Sequence, residues 1–209
     1  MNTKRIIVGY DFSDNSKHAL QIALNMAEAF DGQVHLVTAL PGHLDPKVLK
    51  AALDKASPRH DQLYAVEALI ESMEGRVRET TASLNNLSRM TSIDVMQIRA
   101  PEAITEVADM READLIVLGA TGLGSLERLM LGSTSQRLVH TSRWPVLVVK
   151  PELMWPPQRV VCAVDFSDAS ANAVELGAAL ATEADRGVTL MNVVETTPNV
   201  SNIRAGVVS

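Results

Sequence analysis

Three glycines and a hydroxyl stand in the order Gly119, two residues, Gly122, nine residues, Gly132, Ser133, within the stretch GATGLGSLERLMLGSTSQRLV. Glycine lets a backbone turn sharply and brings its N–H groups against an anion with no Cβ in the way. A helix beginning near Thr134 would aim its unpaired first-turn amides at the same anion, and Ser133 and Thr134 add hydroxyl donors. These residue types at this spacing suit the holding of a phosphate. A plainer reading stands beside it, since Ser and Thr also cap helices for purely structural reasons. The second candidate is Asp11, at the end of the apolar run RIIVGY. Its carboxylate is suited to accepting a hydrogen bond from a nucleotide or holding a hydrated Mg²⁺, or simply to opening a helix.

The elements that must position these groups alternate in kind. Residues 4–10 predict a short strand, with Ser13 capping a helix whose buried stripe is Leu20, Ala23, Leu24, Ala27 and Phe30. Asp31-Gly32 ends that helix, and residues 33–40 predict the second strand. From 45 to 90 the chain is polar but helix-periodic, with Leu63, Val66, Leu69, Ile70, Met73, Val77, Leu84 and Leu87 on one face, and Pro58 splits it into two helices. Strands follow at 93–98, 114–119 and 145–150, separated by a helix that Pro101 opens and another at 134–140. The run Leu115-Ile116-Val117-Leu118 has the β-branched content of a buried parallel strand. Such alternation implies an α/β domain, with a parallel sheet covered on both faces and ligands bound beyond the carboxyl ends of its strands. Asp11 and the Gly119 loop both leave such ends.

The segments RIIVGYDFSDNSKHAL, the stretch after Ala100-Pro101, DLIVLGATGLG, GSTSQRLVH and PVLVVK occur in the order seen in the universal stress protein family, and together they span residues 4–150. The chain resembles that family. The resemblance implies an open parallel sheet in the order 3-2-1-4-5, a Rossmann-like fold akin to the adenine nucleotide α-hydrolases. It also implies ATP, with Mg²⁺, as the cofactor. Carried onto this sequence, the site residues are Asp11, Ala39, Gly119, Thr121, Gly122, Gly132, Ser133 and Thr134. Ala39 falls where the family contacts adenine from the end of the second strand, often with a valine, and Ala100 stands where a glycine commonly precedes the proline. The implied role is an ATP-binding, nucleotide-responsive stress regulator or interaction module with slow or no hydrolysis. A slow ATPase using Asp11 and a dimeric scaffold that binds no nucleotide are the alternatives. The loop has no lysine like that of a Walker motif, although Arg128 lies within it, and Tyr10 to Asp14 contain no glycine of the kind adenylating relatives use. No catalytic residue is assigned. The apolar final strand, Val146 to Val149, is an edge suited to pairing two copies into a homodimer.

A shift of 154 residues lays the start of the chain on its end without a gap. Arg5, Asp11, Phe12, Ser13, Asp14 and Ser16 meet Arg159, Asp165, Phe166, Ser167, Asp168 and Ser170. The expectation is a complete domain over 1–151 and a second, partial β-α-β copy over 158–209 that lacks a glycine loop. Strands at 159–164 and 188–194 with a helix at 169–183 cannot cover both faces of a sheet. A net charge of −6 without a basic run argues against nucleic acid as a partner. No membrane span or signal peptide is legible, so a cytoplasmic location is expected. The lone Cys162, inside RVVCAV, reads as a buried structural thiol. His18, His35, His43, His60 and His140 lack metal-ligand spacing and read as structural or exposed.

Overall fold

A computed structural model describes residues 3–40, 62–121 and 131–194, which divide into two compact units, Asn2–Glu152 and Leu153–Ser209. In the first, β1 (Arg5–Gly9) is central, pairing in parallel with β2 (Gln33–Ala39) on one side and β4 (Leu115–Gly119) on the other. With β3 (Met90–Met96) and β5 (Val146–Val149) the five parallel strands run β3-β2-β1-β4-β5, an α/β open sheet. Ile6, Ile7, Val8, Leu115, Ile116 and Val117 are wholly buried, as expected where a β-branched run is covered on both faces.

The two covers follow from the pleat, which sends alternate residues to opposite faces. Helix α1 (Asp14–Ala29) lies on one face and buries Ala19, Leu20, Ala23, Leu24 and Ala27. Its N-cap is Ser13, whose Oγ accepts from the Ser16 amide at 3.1 Å while the Ser16 hydroxyl donates back to the Ser13 carbonyl at 2.9 Å. Ala103, Ile104, Val107 and Ala108 of α3 (Ala100–Met110) pack on the other face, against Ile7, Val37, Ile116 and Leu118.

The region expected to be helical from 45 to 90 differs. Residues 41–61 lie outside the described residues, α2 spans Gln62–Thr81, and Leu84 falls beyond its end. A short 3-10 turn, Leu87–Arg89, then follows Asn86 in the left-handed region, φ 59°. The third strand begins at Met90 rather than 93, because β3 pairs along β2 from Val34 to Ala39, with a register shift between Val34 and His35. Pairing partners therefore override the weak local pattern of Met90 and Thr91. On α2, Arg76 stacks over Phe12 at 4.4 Å from the ring centroid.

His35 is buried, 7% exposed, with Nδ1 at 2.9 Å from the Ser92 hydroxyl, which donates to Asp94 at 2.7 Å. Burial holds its pKa below the ordinary value, nearby Arg111 adds to the effect, and Asp94 opposes it.

The second unit holds β6 (Val160–Ala163), α5 (Asp168–Glu183) and β7 (Val188–Met191), with the two strands parallel. Its turns repeat those of the first. Phe12 and Phe166 both have φ 67°, Asp31 and Asp185 both have φ 51°, and Ser167 caps α5 as Ser13 caps α1. The Ser167 hydroxyl and amide hold the Asp165 carboxyl down to about 2. Cys162 is buried and unoxidised beneath Gly177 of α5, where a Cβ would collide with its Sγ. Among the described residues, no helix is long and apolar enough to cross a membrane.

Candidate functional site

At the carboxyl ends of β1 and β4 the chain leaves in different directions, and the gap between them is a cavity of about 460 Å³. This is the strand-order reversal where open α/β sheets receive ligands, and the volume is within the usual range for small-molecule sites. The structure brings Asp11, Ala39, Gly119, Thr121, Gly132, Ser133 and Thr134 together in its lining. Gly122 and Arg128 lie outside the described residues.

One end of the cavity is polar and built from the start of α4 (Ser133–Thr141). The helix begins one residue earlier than expected, so its N-cap is Gly132, and Ser133 and Thr134 occupy the first helical positions. Gly132 has φ −62° and ψ 153°, and the cap makes no side-chain hydrogen bond. The first-turn amides, which Ser13 and Ser167 partly satisfy at the starts of α1 and α5, receive no such side-chain partner here, as at the start of α3. A helix start of this kind presents N–H donors and the positive end of the macrodipole to the cavity. Among the described lining residues there is no Lys or Arg, so backbone amides and hydroxyls would carry an anion.

Three contacts hold the two ends of the glycine loop in place. The Gly132 amide donates to the Ala120 carbonyl at 2.7 Å, the Ala120 amide to Val149 at 2.9 Å, and the Ser135 hydroxyl to the Gly119 carbonyl at 2.7 Å. Asn15, at the start of α1, donates its amide to the Thr121 carbonyl at 3.1 Å and to the Thr121 hydroxyl. Gly119 is required by packing as well as by any ligand, since a Cβ there would sit 2.9 Å from the Asn15 backbone carbonyl. Asp11 is also partly committed: its Oδ1 accepts from the Ser13 amide at 3.1 Å and the Ser13 hydroxyl at 2.5 Å.

The apolar part of the lining is formed by Val37, Ala39, Ala100, Ile104 and Leu118. Ala100 takes its place as the first residue of α3 without a positive φ, so the turn before Pro101 needs no glycine. The helices flanking the cavity are tied by Glu102, which lies 2.6 Å from Arg99 and 3.2 Å from Arg137 of α4. Its oxygens are shielded from water without hydrogen-bond geometry, so these are coulombic contacts.

Gly9, Ser16, Ile104 and Ser135 also line the cavity, and sequence reasoning missed them. Only Ser135 left a signal, as the third hydroxyl of the run Ser133-Thr134-Ser135; the others read as strand or helix core.

The universal stress protein family matches residues 2–150. This chain belongs to that family. A universal stress protein of Thermus aquaticus is 32% identical over 150 residues, covering 70% of this chain and 98% of the relative. The solved universal stress protein UspA from Lactobacillus plantarum is 25% identical, with a TM-score of 0.52 over 72% of this chain and 99% of that one. A universal stress protein structure from Archaeoglobus fulgidus DSM 4304 shares the fold at 15% identity, with a TM-score of 0.61 over 93% of this chain and 69% of that one.

Proposed function

We propose that this universal stress protein binds an adenine nucleotide, ATP with Mg²⁺, in the cavity between β1 and β4. In this reading it acts in the cytoplasm as a nucleotide-responsive regulator or interaction module. The observation that carries the reading is the glycine-capped start of α4 lining a cavity that also has an apolar lining from Val37, Ala39, Ala100, Ile104 and Leu118. The base would lie against Val37, Ala39 and Ile104, and the phosphates would reach the amides and hydroxyls of Ser133 and Thr134 with Thr121 beside them. Gly122 belongs to the same proposed set. Asp11 would orient a hydrated Mg²⁺ that the phosphates would mainly hold, a role supported by its being the one carboxylate among the described lining residues. One oxygen of Asp11 is engaged by Ser13, which favours slow or no hydrolysis over a committed general base. The matched caps and turns of the two units support a tandem duplication in which only the first copy holds nucleotide. Homodimerisation through the β5 edge is part of the same proposal.

The test uses the glycine at the cap. Gly132→Asp supplies the missing side-chain acceptor while placing a negative charge where the phosphates would lie. Helix stability should rise by a few tenths of a kcal/mol, because Gly is slightly inferior to Asp at an N-cap. Calorimetric affinity for MgATP should fall at least tenfold. Affinity within a factor of two of the parent protein would remove the phosphate assignment.

A further inference from the structure

Two guanidiniums beside the cavity share a single carboxylate. Arg99, at the N-cap of α3, lies 2.6 Å from Oε1 of Glu102, and Arg137 of α4 lies 3.2 Å from the same oxygen. Both oxygens of Glu102 are shut off from water, yet neither accepts a hydrogen bond. The fork-to-carboxylate pairing that makes such contacts strong is therefore not formed. Arg137 is the more distant of the two partners, and its side chain is 52% exposed. It also sits on the element that carries the polar end of the cavity. Ser133, four residues earlier, is on the same face of α4, and both Ser133 and Thr134 line the cavity. A long side chain on a helix runs back toward the N-terminus, so Arg137 is directed along α4 toward that first turn. From the other side, Arg99 immediately precedes Ala100, another lining residue.

We propose that Arg137 reads the phosphate chain of a bound nucleotide, with Glu102 as the internal competitor that holds it aside and Arg99 as the cation that stays with Glu102 when it leaves. The proposal rests on the nucleotide reading given above and adds to it the basis of selection between nucleotides. The exchange is favourable on three counts. A phosphate group accepts parallel N–H bonds from one guanidinium, which Glu102 does not. Glu102 keeps Arg99, so no shielded carboxylate is left without a cation. The half-exposed Arg137 side chain turns by rotation about its own bonds, with the helix in place. Because the guanidinium would meet phosphate and not the base, a nucleoside would gain nothing from it. A triphosphate would gain a charge-assisted hydrogen bond in a lining that otherwise offers, among its described residues, only amides and hydroxyls to an anion.

The experiment titrates MgATP and adenosine calorimetrically into the full chain, as the parent protein, Arg137→Gln and Glu102→Gln, with far-UV circular dichroism on each. Arg137→Gln should lower MgATP affinity about tenfold, the usual weight of one hydrogen bond to a charged group, and leave adenosine within about twofold. Glu102→Gln removes the competitor and should raise MgATP affinity about threefold, again with adenosine unmoved. Both substitutions cut the same contact between α3 and α4, so a purely structural role would shift affinity in the same direction in both and carry adenosine with it. Opposite shifts confined to MgATP support the proposal. MgATP affinity unchanged in Arg137→Gln, or lowered in both variants, overturns it. Should Arg137→Gln lose structure, Glu102→Gln decides alone: a rise in MgATP affinity supports the exchange and no rise rejects it. A parent protein that binds neither ligand removes the nucleotide reading and this inference with it, whereas MgATP binding that ignores Arg137 removes the inference alone.

Discussion

Two glycines at the cavity are opposed by different kinds of atom, and alanine at each should separate them. At Gly119 a Cβ would lie 2.9 Å from both the carbonyl carbon and oxygen of Asn15 and 3.1 Å from its Cβ. At Gly9 it would lie 2.7 Å from the ends of Ile104 and Leu118. The Gly9 contacts are nominally tighter, yet they are made by terminal methyls beside an open cavity into which those side chains can turn. The Gly119 contact is with backbone at the start of α1, fixed by the Ser13 cap and the Asn15 to Thr121 hydrogen bonds. Relief there requires the helix start to move by several tenths of an ångström. Overpacking of that kind costs about 1–3 kcal/mol, whereas accommodation by side-chain rotation should cost under about 1 kcal/mol. The entropic gain from replacing glycine is the same at both positions and cancels in the comparison. For a chain of this length the Gly119→Ala loss corresponds to roughly 2–12 °C in Tm. Urea unfolding at constant m gives the two differences directly, and calorimetry on the same samples gives nucleotide affinity. Gly9→Ala should keep stability but narrow the cavity and weaken binding. If Gly9→Ala proves as destabilising as Gly119→Ala, the reasoning from backbone against side-chain opposition is wrong.

Two further outcomes follow from individual contacts. His35 is held neutral by burial, so the unfolded chain binds more protons below the ordinary imidazole value of 6.5; stability contributed above that pH should be lost as pH falls through it, with a slope of up to about 1.4 kcal/mol per pH unit, and His35→Asn should flatten the profile measured by urea unfolding. Asn15→Ala removes the side chain that ties α1 to Thr121, and at a net cost of about 1 kcal/mol it should speed hydrogen exchange at Thr121 and weaken MgATP binding severalfold; unchanged exchange would show that the loop is positioned without Asn15.

Much of the site was legible because its chemistry is local. The spacing of Gly119, Gly122, Gly132 and Ser133, read after an apolar strand, already pointed to a loop and helix start suited to an anion. Reading Ser133 and Thr134 as helix caps was natural from residue preference, but the Gly132 amide bonds to Ala120 and draws the cap one residue back. Gly9 and Ile104 escaped notice because nothing within a strand or helix says that its side chain borders a void. β3 was misplaced by three residues because its start is set by β2, a partner more than fifty positions away in the chain.

By itself the sequence determined the alternation of strand and helix, the duplicated Asp-Phe-Ser-Asp turn and the family, since these are written in short-range periodicity and ordered motifs. The tertiary structure alone decided which of those residues meet. It set β1 beside β4 so that Asp11 and the Gly119 loop border one cavity, turned Asn15 onto Thr121, and covered Ile7 and Val37 with α3 while Val161 and Met191 stayed exposed. Apolar residues 154 positions apart in matching strand segments are core in the first unit and surface in the second, because burial belongs to what packs against a side chain and not to the side chain itself.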